Sequence, residues 1–161
     1  MVEYSTVKNH LMESYKQLEL PINIQQKQAA TIYIDGASRG NPGSSAVGVV
    51  IIDAKGNKRK IKKYLGIHTN NQAEYHALIT ALAFAKKLRK THLTIFTDSQ
   101  LLANQVNRLW KVRDPDIKAL YQEAISLIAS FKKVKLNHIP RDLNKEADRL
   151  ANEALDDYHS Y

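Results

Sequence analysis

Three β-rich runs follow one another early in the chain, over residues 30–35, 45–52 and 58–67. The first alternates apolar and polar side chains. The second is an almost continuous Val/Ile run, typical of a buried strand. The links between them are a glycine- and proline-bearing loop over 36–44 and the turn signal Lys55-Gly56-Asn57. Links this short hold no crossover helix, so the runs close as an antiparallel meander. From residue 70 the period changes. Apolar residues at 73, 77, 78, 81, 82, 85 and 88 predict a helix over 70–88. A fourth strand is expected over 92–97. A helix over 99–110 follows, with Leu101, Leu102, Val106 and Leu109 on its inner side. Pro115 starts another helix, which carries apolar residues as far as Phe131. A fifth strand over 134–139 and a last helix over 143–158 complete the order βββαβααβα. That order specifies an α/β fold with a five-stranded mixed sheet flanked by helices.

The length of 161 residues suits one domain. Residues 1–28 stand apart as an N-terminal extension ahead of a domain over 29–161. Val7, Leu11, Tyr15 and Leu18 repeat at helical spacing, so a short helix is expected over 5–19, ended by Pro21. No apolar run approaches the roughly 20 residues of a membrane span, and the N-terminus lacks a signal-peptide pattern. There are no cysteines, which excludes disulfides and thiolate metal sites. A cytoplasmic protein with no membrane contact and no obligate protein partner is expected.

Charge narrows the class of partner. The chain has 24 Lys+Arg against 16 Asp+Glu, a net +8. Residues 1–29 are neutral overall, so the excess lies on 30–161 with 21 basic and 13 acidic residues. A basic domain without a membrane helix points to a polyanion, most often nucleic acid.

Against that background four acids fall at matching places. Asp35 ends the first strand and Asp98 the fourth. Glu74 lies in the first turn of the first long helix, and Asp148 one turn into the last. Carboxylates at the ends of neighbouring strands converge at one sheet edge, where α/β proteins bind ligands. Taken singly, each acid also reads as a turn former or a helix-dipole partner. Taken together, four clustered carboxylates repel one another unless cations hold them. An all-oxygen donor set suits a hard cation such as Mg²⁺ or Mn²⁺, and a basic protein carrying such a set suits two-metal phosphoryl transfer.

The segments around the acids are specific. Asp35-Gly-Ala-Ser-Arg-Gly-Asn-Pro-Gly43, Thr69-Asn-Asn-Gln-Ala-Glu74-Tyr-His-Ala-Leu, Thr97-Asp-Ser-Gln100 and Asn144-Lys-Glu-Ala-Asp148-Arg-Leu-Ala occur in order on β, α, β and α elements. Over residues 29–157 the chain resembles ribonuclease H of type 1. The resemblance implies the ribonuclease H-like sheet and endonucleolytic hydrolysis of the RNA strand of RNA·DNA hybrids. The products would carry a 3′-hydroxyl and a 5′-phosphate. It also implies two divalent cations, Mg²⁺ or Mn²⁺, on Asp35, Glu74, Asp98 and Asp148, with Asp35 bridging both. By the same resemblance the 2′-hydroxyl would be read by the backbone around Gly36 and Ser38 with the side chains of Glu74 and Gln100. Asn41, Asn70 and Asn71 would touch the minor groove, Thr69 would bind a DNA phosphate, and Asn144 would stand near the leaving group. Asn70 and Asn144 also read as helix N-caps.

The chain departs from well-known bacterial members in three ways. The family's catalytic His sits in a mobile loop ten residues before the last Asp. Here His138 has that spacing but a strand-like context, and an Ile-Pro follows it. Arg141, seven residues before Asp148, matches the assisting Arg of the archaeal-type subgroup and is the favoured residue. Next, the basic handle is missing: Trp110-Lys-Val-Arg-Asp-Pro115 passes almost directly into the next helix. Trp110 then either stacks near the DNA strand or packs on the core. Hybrid binding would rest on Lys58, Arg59, Lys60, Lys62 and Lys63, or on Lys86, Lys87, Arg89 and Lys90. Edge-strand protection and the helix C-terminus are the structural alternatives. Finally, the N-terminal extension is too short for the hybrid-binding domain that some relatives carry. A non-catalytic nucleic-acid-binding protein on the same fold is the alternative function. A nuclease acting on DNA is a third reading, disfavoured by Asn70, Asn71 and Gln100.

Overall fold

The computed structural model describes residues 27–159; the helix expected over 5–19 lies outside them. The meander forms β1 (Ala29–Gly40), β2 (Gly43–Asp53) and β3 (Lys58–His68). After it come α1 (Asn70–Lys87), β4 (His92–Thr97), α2 (Gln100–Val106), α3 (Pro115–Ile128), β5 (Lys133–His138), a 3₁₀ turn (Arg141–Leu143) and α4 (Lys145–His159). The sheet order is β3-β2-β1-β4-β5, with β1/β2 and β2/β3 antiparallel and β1/β4 and β4/β5 parallel. This is the ribonuclease H-like α/β fold expected from the sequence.

Strand alternation divides the apolar residues between two layers. Ile32 and Ile34 of β1, Val47 and Val49 of β2, and Leu93 and Ile95 of β4 face Tyr75, Leu78 and Leu82 of α1, Leu102 of α2 and Ile117 of α3. The opposite face of β2 carries Ala46 against Ala154 and Leu155 of α4. Gly48 lies on that same face: a Cβ there would meet the Ala147 carbonyl oxygen at 2.0 Å. Small residues on both sides therefore let α4 lie close on the sheet. No helix among the described residues is long and apolar enough to cross a membrane.

Three local expectations change. The 36–44 segment is not a loop. β1 continues in register with β2 to the pair Gly40↔Gly43, and only Asn41 and Pro42 form the turn. Its small residues serve a close approach instead, since a Cβ on Gly36 would lie 2.3 Å from the Ala73 carbonyl of α1. The second helix stops at Val106 rather than 110. Arg108 adopts a left-handed φ of 63°, and Leu109, expected inside, is 72% exposed. Trp110 is about half-exposed, in a groove with Lys111, Lys118 and Tyr121.

The cations of β3 are also redistributed. Lys58, Lys60 and Lys62 alternate onto the α4 side of the sheet. Lys58 and Lys60 pair with Glu146 at 3.5 and 3.1 Å, and Lys62 pairs with Asp157 at 2.7 Å. Exposed pairs like these contribute little each. Their consequence is that three of the five cations expected to serve polyanion binding face α4 acids instead.

Candidate active site

The sheet edge formed by the C-terminal ends of β1 and β4 gathers the acids. Asp35 and Asp98 both directly follow the last pair of the parallel β1/β4 ladder, Ile34↔Thr97. α1 enters beside them through a capping box: the Thr69 side chain accepts from the Gln72 backbone N–H at 3.2 Å, and Gln72 Oε1 accepts from the Thr69 N–H at 2.9 Å. Thr69 is therefore the N-cap, the place expected for Asn70. The cap sets the first turns of α1 so that Glu74 meets the sheet, and Gly36 N–H donates to Glu74 Oε2 at 3.3 Å. Asp35, Glu74 and Asp98 each bring one carboxylate oxygen within 4.8 Å of the others. Asp148 reaches the same cleft from α4, near enough to push the Asp35 carboxyl upward.

The electrostatics follow from this crowding. Asp35 is 5% exposed. Burial first, then the negative charges of Glu74, Asp98 and Asp148, push its carboxyl up to about 10. Burial and Asp98 push Glu74 up to about 8, against the opposing pull of the Gly36 N–H, Asp35 and Arg141. The cluster thus holds more carboxylates than it can ionise alone. Such an all-oxygen set fits hard divalent cations, which remove the repulsion that burial amplifies.

Around the acids lies a cleft of about 400 Å³, lined also by Gly36, Ser38, Arg39, Asn70, Arg141 and Asn152. Arg141 Nη2 is 3.9 Å from Asp148 Oδ1, and its side chain is 82% exposed. His138 ends β5, exposed and away from the cleft lining. Asn41 Oδ1 accepts from the Asn70 backbone N–H at 3.1 Å, which ties the β1/β2 turn to α1. Ser38 Oγ is within hydrogen-bond reach of the Gly40 carbonyl and of the His68 carbonyl at the end of β3, with one proton to give. Asn71 and Gln100 are exposed at the starts of α1 and α2.

Asn144 differs from its expected place. It is 1% exposed, and its Nδ2 donates to the Ile34 carbonyl at 2.8 Å. The residue expected beside a leaving group is turned into the protein, where it joins the start of α4 to the strand that carries Asp35. It makes no side-chain cap either: its Oδ1, the atom that would accept from the helix N–H groups, has no hydrogen-bond partner among the described residues.

Two lining residues escaped the sequence reading. Asn152 Nδ2 donates to Asp148 Oδ1 at 3.2 Å and to the Asp148 carbonyl at 3.0 Å. The signal was available: residues four apart on a helix are neighbours. Arg39 stood inside the first motif, but the expected loop gave it no direction.

A family model described as reverse transcriptase-like matches residues 33–154. A ribonuclease HI of Halobacterium salinarum is 44% identical over 126 residues, covering 78% of this chain. A crystal structure of RNase H1 from that species superposes with a TM-score of 0.78 at 42% identity, covering 80% of this chain and 98% of that one. The chain belongs to the ribonuclease H family. A second ribonuclease H structure, LC11-RNase H1 in complex with an RNA/DNA hybrid, superposes with a TM-score of 0.74 at 38% identity, covering 80% of this chain and 98% of that one. The chain spans 63% of the length of the Halobacterium ribonuclease HI.

Proposed function

We propose that this chain is a metal-dependent endoribonuclease that hydrolyses the RNA strand of RNA·DNA hybrids, leaving a 3′-hydroxyl and a 5′-phosphate. The convergence of Asp35, Glu74 and Asp98 within one ligand sphere, with Asp148 alongside, carries the reading. Asp35, Glu74, Asp98 and Asp148 would hold two Mg²⁺ or Mn²⁺ ions. Bound there, the ions supply Lewis-acid stabilisation of the entering and departing oxygens of an in-line displacement. The LC11-RNase H1 complex supports the hybrid as substrate.

The chain's own groups orient and select. Gly36 lets the backbone of β1 and α1 close to contact, which fixes Glu74 beside Asp35. Asn41 and Asn70 sit together at the hairpin turn, so a minor-groove edge laid there meets both. Arg141 presents a permanent cation beside Asp148 and steers phosphate oxygens, although a guanidinium does not shuttle protons. His138 lies outside the cleft lining, so Arg141→Ala is expected to lower turnover about 10-fold and His138→Ala less than about 2-fold. Single-turnover rates with saturating enzyme measure both, and equal or reversed losses would reject the ranking.

Purified protein incubated with labelled RNA·DNA hybrid, double-stranded RNA and double-stranded DNA, each with Mg²⁺, Mn²⁺ or chelator, tests the function. Cleavage of the hybrid's RNA strand alone, dependent on metal, is expected. Hybrid binding without cleavage under every metal would favour the non-catalytic alternative.

A further inference from the structure

We propose that Arg39 is a substrate-binding residue, gripping an RNA-strand phosphate next to the one that is cleaved. The inference rests on the hybrid-cleaving reading of the cleft. Arg39 is on β1, four residues beyond Asp35, or about 13 Å along the strand at the usual rise. That is too far to serve the acid cluster and suits a neighbouring phosphate on the same backbone. The side chain lines the cleft and is 42% exposed.

Its orientation is fixed from α4. Nη2 donates to Asp156 Oδ1 at 2.6 Å and to the Asn152 carbonyl at 3.4 Å. Asn152 in turn holds Asp148 Oδ1 at 3.2 Å, so the anchor of Arg39 and a cluster carboxylate belong to one network. Among the described residues only Nη2 is engaged. Nε and Nη1 have no acceptor among the described residues. A guanidinium held at Nη2 keeps Nε and Nη1 as donors on its two other sides, so a phosphate oxygen takes a charge-assisted hydrogen bond from either of them. An exposed Arg–Asp pair adds little to folding, so what the anchor provides is direction. Arg141, beside Asp148, and Arg39, farther along β1, are the two cations that line the cleft among the described residues. Arg39 thereby extends the charged track away from the reacting phosphate.

Steady-state cleavage of a labelled hybrid by the whole chain, over a series of salt concentrations, tests the assignment. Arg39→Ala is expected to raise KM about 10-fold with kcat within about 2-fold, and to make log KM less steep in log salt by about one contact. Arg39→Lys keeps the charge, but a single ammonium cannot be held from α4 at one nitrogen while offering directed donors from others, so KM should rise several-fold with the salt slope retained. A neutral methylphosphonate linkage in the RNA next to the cleavage site should raise KM for the parent and add nothing further in Arg39→Ala. A parent-like KM and salt slope in Arg39→Ala, or a loss confined to kcat, would overturn the assignment. Should Arg39→Ala fail to fold, an unchanged KM in Arg39→Lys overturns it equally. No cleavage by the parent chain would instead overturn the underlying functional reading.

Discussion

Asp35→Asn is expected to lower hybrid cleavage at least about 10³-fold and, in the same molecule, to raise the melting temperature of the cation-free protein. The first effect follows from the place of Asp35, buried between Glu74, Asp98 and Asp148 where both cations would be held. Losing several kcal/mol of charge stabilisation in the transition state costs a factor of ten for each 1.4 kcal/mol or so. The second effect follows from the titration. A carboxyl raised in the folded state binds its proton more tightly there than when unfolded, so deprotonation opposes folding. Stability is therefore full below about pH 4 and is lost as pH rises toward about 8 for Glu74 and about 10 for Asp35. The neutral amide at 35 removes the most strongly raised group and one source of repulsion for the others. At pH 8 in chelator this should stabilise the fold by at least about 1 kcal/mol, a shift of a few degrees for a domain this size. Adding Mg²⁺ should raise the parent's melting temperature and change Asp35→Asn far less, since only a competent site gains from ligand binding. Asp98→Asn should share the loss of activity. Melts at pH 5, 7 and 9, with chelator or Mg²⁺, and the cleavage assay measure both effects. Mn²⁺-dependent cleavage retained in both variants would contradict the assigned site.

The strand and helix order was readable because each element carries its own period. Ile32 and Ile34 alternate, and the apolar stripe of α1 repeats at helical spacing. The convergence of the acids was readable because parallel neighbours end together: Ile34 pairs with Thr97, so the residues that follow them must meet. What escaped depends on contacts between distant segments. Glycine and proline in 36–44 signalled a loop, yet backbone pairing with β2 makes no demand on side chains and runs to the turn. The lysines of β3 advertised a free basic strand, but their partners, Glu146 and Asp157, lie some ninety residues away. Asn144 matched a substrate-facing motif position, and only the approach of α4 to Ile34 reveals that its amide is buried. Leu109 fitted the helical stripe, but Arg108 breaks the helix first.

Gly48→Ala should damage stability and catalysis together, because one contact serves both. Gly48 is the β2 partner of Asp35 in the antiparallel ladder. The added methyl would stand 2.0 Å from the Ala147 carbonyl oxygen and 2.8 Å from the Ala151 backbone nitrogen. Both are helix backbone atoms, so no side-chain rotation relieves the clash and α4 must move off the sheet. Overpacking of this kind costs about 1–3 kcal/mol or more, which lowers the melting temperature of a domain this size by roughly 3–12 °C. Asp148 follows Ala147 directly, so the helix carries it away from Asp35 as it lifts. A displacement of about 1 Å in a reacting constellation is enough to cost about 10²-fold in rate, and that loss should persist at temperatures where the variant is fully folded. Gly56→Ala separates the two effects. Gly56 sits in the β2–β3 turn at φ +85°, and a methyl added there would have nothing within 4 Å. It should lose about 1 kcal/mol to backbone strain with cleavage unchanged. If Gly48→Ala instead loses only stability, like Gly56→Ala, then the fit of α4 against β2 supports the fold without setting the position of Asp148, and the coupling drawn from the Asp35–Gly48 register fails.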